Sequence, residues 1–129
     1  MALRIAIDVN RYVDFARGID EAVACVRRAG QIYLPFVVLA ELRAGFRAGQ
    51  RAKANEAVLS RFLQSDRVTV LLPDEQTTHV YAEVFTQLRV AGTPIPTNDL
   101  WIAALVIQHD LVLFSRDRHF DVLPQIARI

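Results

Sequence analysis

Short apolar runs of strand length recur along this chain, and consecutive runs are separated by stretches of helical periodicity. The runs are Arg4 to Asp8, Gln31 to Leu34, Arg67 to Leu72 and Leu111 to Ser115. Strands separated by helices cannot close as tight hairpins; they pair in parallel, with the helices packed over the sheet. Between the runs, Asn10 is the expected cap of a short helix through Phe15, and Ile19 to Ala29 forms a second helix that stops at Gly30. The apolar positions Val37, Leu39, Ala40, Ala44 and Phe46 suit a helix from Phe36 to near Gly49. Another spans Ala52 to Gln64, with Val58, Leu59, Phe62 and Leu63 on one face. Pro73-Asp74 opens a helix that shows Val80, Val84, Phe85 and Leu88 at helical spacing and stops at Gly92. After the Pro94/Pro96 loop, Asn98 is the expected cap of a buried helix to His109. The tail from Phe120 holds a short turn or helix, with an edge strand near Ile126 to Ile129. The expectation is an α/β chain, a three-layer α/β/α sandwich around a mainly parallel sheet of four or five strands.

With 129 residues, the chain has a typical single-domain length, so residues 1–129 are expected to form one domain. An apolar share of 53% with 22% charged residues excludes a disordered chain. The lone cysteine, Cys25, cannot form an internal disulfide, which favours a reducing cytoplasm. The longest nearly apolar stretch, Ile32 to Ala40, is about half a membrane span and contains Pro35. Asp8 interrupts any hydrophobic region that a signal peptide would need. A net charge of +1 excludes an evenly basic nucleic-acid binder but allows a basic patch balanced by an acidic pocket. Lys53 is the sole lysine, and every other basic residue apart from histidine is arginine. Arginine makes the better bidentate phosphate contacts, although arginine-rich codon usage would give the same bias.

Four carboxylates stand where apolar runs give way to polar junctions. Asp8 follows Ile5-Ala6-Ile7, Glu41 follows Val37 to Ala40, Asp99 precedes Leu100 to Ala104, and Asp117 follows Leu113-Phe114-Ser115-Arg116. Open parallel sheets bind ligands beyond the carboxyl ends of their strands. Asp8 and Asp117 lie at such ends, and Glu41 and Asp99 sit near the first turns of helices starting from the same rim. Several carboxylates in one pocket repel each other unless a hard dication neutralises them. Each acid also has a plainer explanation on its own: a helix N-terminal charge for Asp99, a surface ion pair for Glu41, a turn for Asp117. Their agreement in placement favours a site.

The series Asp8-Val9-Asn10, Glu41-Leu42-Arg43-Ala44-Gly45, Asn98-Asp99 followed by Ile102-Ala103-Ala104, and Ser115-Arg116-Asp117 with His119-Phe120 resembles a PIN domain. More narrowly, it resembles the ribonuclease toxin of a VapBC toxin–antitoxin pair, over residues 5 to about 120. Val9 departs from the threonine common at that position. The resemblance implies a metal-dependent endoribonuclease, a homodimer and inhibition by a cognate antitoxin. Magnesium, or manganese, is held by one or two carboxylates with water and substrate phosphate completing its shell. Asp8 and Asp99 are expected to make the main metal contacts, with Asp117 completing the site directly or through water. Glu41 would bind a second ion or orient the attacking water, and Asn10 and Ser115 would orient carboxylates and phosphate.

Arg43 and Arg47 share a helical face beside Glu41, and Arg116 and Arg118 flank Asp117. These four are candidate RNA contacts, with a solvated basic face as the alternative for the first pair. His79, His109 and His119 show no zinc-type spacing, and His119 is expected to be structural, with contact to substrate as the alternative. No Gly-rich phosphate loop or Gly-x-Ser-x-Gly elbow is present. A receiver domain would need a lysine near its last strand, and a haloacid-dehalogenase-type phosphatase would need Asp-x-Asp where this chain has Asp8-Val9-Asn10. The remaining rival is a catalytically silent PIN-like binding or assembly module.

Overall fold

In the computed structural model, which describes residues 2–129, four strands form one parallel sheet in the order β3-β2-β1-β4. The strands are β1 (Arg4–Ile7), β2 (Gln31–Pro35), β3 (Val68–Leu71) and β4 (Val112–Phe114). The helices are α1 (Val9–Ala16), α2 (Asp20–Arg28), α3 (Phe36–Ala48), α4 (Ala52–Leu63), α5 (Glu75–Ala91) and α6 (Thr97–Gln108). A 3₁₀ turn over Arg118–Val122 follows β4. The architecture is a three-layer α/β/α sandwich.

The central strand, β1, buries Ile5, Ala6 and Ile7 completely. A strand covered on both faces reads as a continuous apolar run, which is why Ile5-Ala6-Ile7 does not alternate with polar residues. Helix α6 is nearly as deep: Ile102 through Leu105 are fully buried and Val106 is almost so. Helices apolar on all sides belong in the interior, and this one carries Asp99 at its start.

Two helix boundaries follow local chemistry closely. Asp74 caps α5 by accepting from the Thr77 N–H at 3.1 Å, while the Thr77 hydroxyl accepts from the Asp74 N–H at 2.9 Å. At the other end Gly92 takes φ +72°, the left-handed conformation that glycine adopts at least cost.

Two caps differ from the expected ones. Asp8, rather than Asn10, caps α1, its carboxylate accepting from the Val9 N–H at 2.8 Å. Helix α6 starts at Thr97 after Pro96, and Asn98 reaches outward instead of capping it. The expected C-terminal edge strand reduces to one parallel bridge between Leu113 and Arg128. On α5, Val80 and Leu88 belong to the core, whereas Phe85 and Val90 are exposed. No helix among the described residues is long and apolar enough to cross a membrane.

The chain builds outward from β1 through β2 to β3, then returns through α5 and α6 to place β4 on the opposite side of β1. The direction of winding therefore switches between β1 and β4, where a doubly wound sheet opens its ligand crevice. The register pairs Ile7 with Phe114, so Asp8 and Ser115 are the first residues beyond the sheet on adjacent strands.

Candidate metal centre

Asp8 leaves β1 with its N–H bonded to the Phe114 carbonyl at 3.1 Å, which fixes the carboxylate beside β4. Its side chain is only 5% exposed, accepting from Val9 N–H through Oδ1 and from the Ser115 hydroxyl through Oδ2 at 2.6 Å. Both donors are neutral. Burial pushes the Asp8 carboxyl above its usual value, against the pull of these hydrogen bonds, and Asp117 adds repulsion.

Ser115 also accepts from the Asp117 N–H at 3.0 Å, so one hydroxyl bridges Asp8 to the loop carrying Asp117. The Asp117 carboxylate caps the 3₁₀ turn, accepting from the His119 N–H at 2.9 Å. The His119 ring folds back so that Nδ1 lies 2.6 Å from Asp99 Oδ2 and 3.2 Å from Asp117 Oδ1. Asp99, in the first turn of α6, is 9% exposed. Burial raises its pKa, as do the charges of Asp117 and Asp8, while the hydrogen bond from His119 lowers it. That same bond holds the His119 imidazole above its ordinary pKa.

Asp99, Asp117 and His119 each present a ligand atom within 4.8 Å of the others. Asp8 adjoins this group through Ser115. Glu41 stands further out, exposed on α3, where its Oε1 accepts from Asn98 Nδ2 at 2.8 Å. Asn98 thereby ties Glu41 to the residue next to Asp99. Glu41 also lines a cleft of about 580 Å³ with Val9, Tyr12, Leu42 and Phe46.

The donor set suits a hard cation. Two buried carboxylates and a third beside them lack any arginine or lysine bonded to their oxygens among the described residues, and His119 alone offers them a titratable positive charge. Oxygen-rich groups of this kind match magnesium or manganese.

Asn10 makes no side-chain hydrogen bond to Asp8 among the described residues: its Oδ1 accepts from the Arg116 N–H at 3.2 Å. Arg116 in turn reaches back to α1, gripping both Asp14 oxygens at 2.9 and 3.0 Å. Arg43 is similarly engaged, with Nε 2.9 Å from Glu56 on α4. Arg47 and Arg118 are exposed and join no ion pair among the described residues. His119 lies within the acidic group, which zinc-type spacing could not reveal because its partners are carboxylates remote in sequence.

The chain matches the PIN domain family over residues 5–125. It is 30% identical over 93 residues to the ribonuclease VapC4 of Mycobacterium tuberculosis, covering 72% of each chain. It is 31% identical over 105 residues to the ribonuclease VapC1 of Haemophilus influenzae strain R2866, covering 76% of this chain and 77% of that one. Its fold superposes on VapBC2 from Rickettsia felis, solved bound to a DNA fragment from their promoter, with a TM-score of 0.87. The identity there is 24% and the coverage 98% of each chain. The chain belongs to the PIN domain family and, within it, to the VapC ribonucleases.

Proposed function

We propose that this chain, as one domain, is a metal-dependent endoribonuclease that hydrolyses RNA phosphodiester bonds, the toxin of a type II toxin–antitoxin pair. The observation that carries the reading is the convergence of Asp8, Asp99 and Asp117 at the switch between β1 and β4, with no arginine or lysine bonded to their carboxylates among the described residues and His119 as their one basic partner there. Kinship to VapC ribonucleases supports the same substrate class.

When bound, Mg²⁺ or Mn²⁺ supplies an activated water and offsets charge building on the phosphate oxygens. Asp8, Asp99 and Asp117 would hold the ion, with His119 beside them. Ser115 fixes the Asp8 oxygen and the Asp117 backbone at once, so the two acids keep one relative position. Asn98 holds the Glu41 carboxylate by a hydrogen bond at 2.8 Å, and Glu41 would orient the attacking water or a second ion. Asn10 steadies the loop through the Arg116 N–H rather than through a carboxylate. Arg47 and Arg118, exposed and without ion pairs among the described residues, are the better placed of the four candidate arginines to meet RNA phosphates.

The partners that follow are an RNA substrate, a cognate antitoxin and a second copy of the chain in a homodimer. Among the similar structures, VapBC-5 from Mycobacterium tuberculosis is a member of the VapBC family of toxin–antitoxin systems. The setting is the cytoplasm. Cleavage of a pool of structured RNAs by purified protein tests the reading. It should require Mg²⁺ or Mn²⁺, stop with EDTA and stop on addition of the antitoxin; cutting unaffected by EDTA would contradict it.

A further inference from the structure

Strand β4 is only three residues long, and the Ser115–Asp117 segment beyond it has no regular structure to hold it. Its backbone carbonyls meet a side chain from the C-terminal tail instead. Arg128 Nη2 donates to the Asp117 carbonyl at 2.7 Å and lies 3.3 Å from the Ser115 carbonyl, while Nη1 pairs with Asp121. The tail is held against β4 by backbone bonds, Leu113 N–H to Ala127 at 2.8 Å and Ile129 N–H to Leu113 at 3.1 Å. Phe120, Leu123 and Ile126 anchor the intervening chain in the core. Arg128 lies beyond the residues that match the family.

We propose that Arg128 is a positioning residue for the acidic pocket, its planar guanidinium locking the Ser115–Asp117 segment in the geometry that brings Asp117 to Asp99. The role rests on the metal-dependent reading above. A guanidinium can serve two carbonyls and a carboxylate together because its donors are rigidly forked; an ammonium is a single point charge that cannot span them. The carboxylate it pairs with is Asp121, outside the pocket, so it places a permanent positive charge near the acids without occupying their oxygens.

The test measures Mn²⁺ affinity without RNA, by calorimetry or electron paramagnetic resonance, alongside kcat and KM for RNA cleavage. Outer partners of metal ligands typically contribute 10–100-fold to affinity or rate. Arg128→Ala is therefore expected to lower Mn²⁺ affinity and kcat by about tenfold, with KM little changed. Arg128→Lys is expected to show the same loss, and guanidinium ion at low concentration to restore part of the Arg128→Ala defect. A folded Arg128→Ala chain with wild-type Mn²⁺ affinity would overturn the role, as would a rise in KM at constant kcat. Should Arg128→Ala not fold, Arg128→Lys decides, and wild-type affinity in that variant overturns the role. Absence of Mn²⁺ binding by the wild type would instead overturn the metal reading on which the role depends.

Discussion

The hydroxyl of Ser115 donates to Asp8 Oδ2 at 2.6 Å and accepts from the Asp117 N–H at 3.0 Å, joining acids that are remote in sequence through one atom. The contact exists because β1 and β4 are parallel neighbours that end in register, Ile7 beside Phe114. A hydroxyl can donate once and accept as well, so serine satisfies both partners where most small residues could not.

Ser115→Ala should therefore release both acids. The expected cost is about 1 kcal/mol of stability, typical of a lost intramolecular hydrogen bond, and a drop in kcat of about 10–100-fold. Thermal melts and single-turnover cleavage check the two effects separately. Full activity in a folded Ser115→Ala chain would show that the bridge has no part in catalysis.

Asp8 links pH to stability in the metal-free protein. Its folded pKa is raised by burial, so the native state binds the proton more readily than the unfolded chain. The group carries no penalty below the ordinary carboxylate range, where both states are protonated. Stability is lost as pH rises from the ordinary carboxylate range through the folded pKa. Asp8→Asn should accordingly raise Tm in EDTA at pH 7, with the gain vanishing in acid. It should also abolish the Tm increase that Mg²⁺ gives the wild type. A lower Tm for Asp8→Asn at pH 7 in EDTA would contradict this.

Asp74 runs the other way. The hydrogen bond from the Gln108 amide, and after it the capping bond from the Thr77 N–H, hold its carboxyl below the usual range. Its contribution is present above the unfolded carboxylate pKa and fades as pH falls through the lower folded one. Asp74→Ala should lower Tm by a few degrees at pH 7 and by progressively less in acid, with cleavage unaffected. A Tm difference that does not shrink in acid would exclude the charged cap as its source.

Asn98 presents a sharper case for Glu41. Asn98→Ala leaves the Glu41 charge in place but frees its carboxylate, with an expected loss in kcat of about tenfold. Asn98→Asp sets a like charge against Glu41 and should lose more. Steady-state cleavage at fixed metal concentration ranks the variants. Wild-type kcat in Asn98→Ala would remove Glu41 orientation from the account.

Salt dependence separates the arginines. If Arg47 and Arg118 each meet a phosphate of single-stranded RNA, either alanine variant should flatten the slope of log affinity against log salt by about 0.7. Arg43→Ala should leave the slope unchanged, since that guanidinium is engaged by Glu56. Equal slopes for all three variants would place the RNA elsewhere.

The layers of this fold were readable because alternation and helix stops are local properties. Ile5-Ala6-Ile7 announces a strand covered on both faces, and Asp74 and Gly92 mark α5 by chemistry within one helical turn. Side-chain partnerships were not readable, because they depend on which strand ends meet. Asn10 and Asn98 both have the composition of caps, yet each finds a better partner across the fold, the Arg116 N–H and Glu41. His119 looks inert in sequence because Asp99 reaches it only once α6 and β4 are packed. Val80 and Leu88 share the helical spacing of Phe85, and only the packing of α5 on α6 buries the first two and leaves the third exposed.

The most direct test compares RNA cleavage by the wild type, Asp8→Asn and Asp99→Asn, purified identically, across a Mn²⁺ titration. The expected result is metal-dependent cutting by the wild type and none by either variant, with all three folded. Equal cutting by the wild type and both variants would contradict the central claim that these buried carboxylates form the catalytic metal centre.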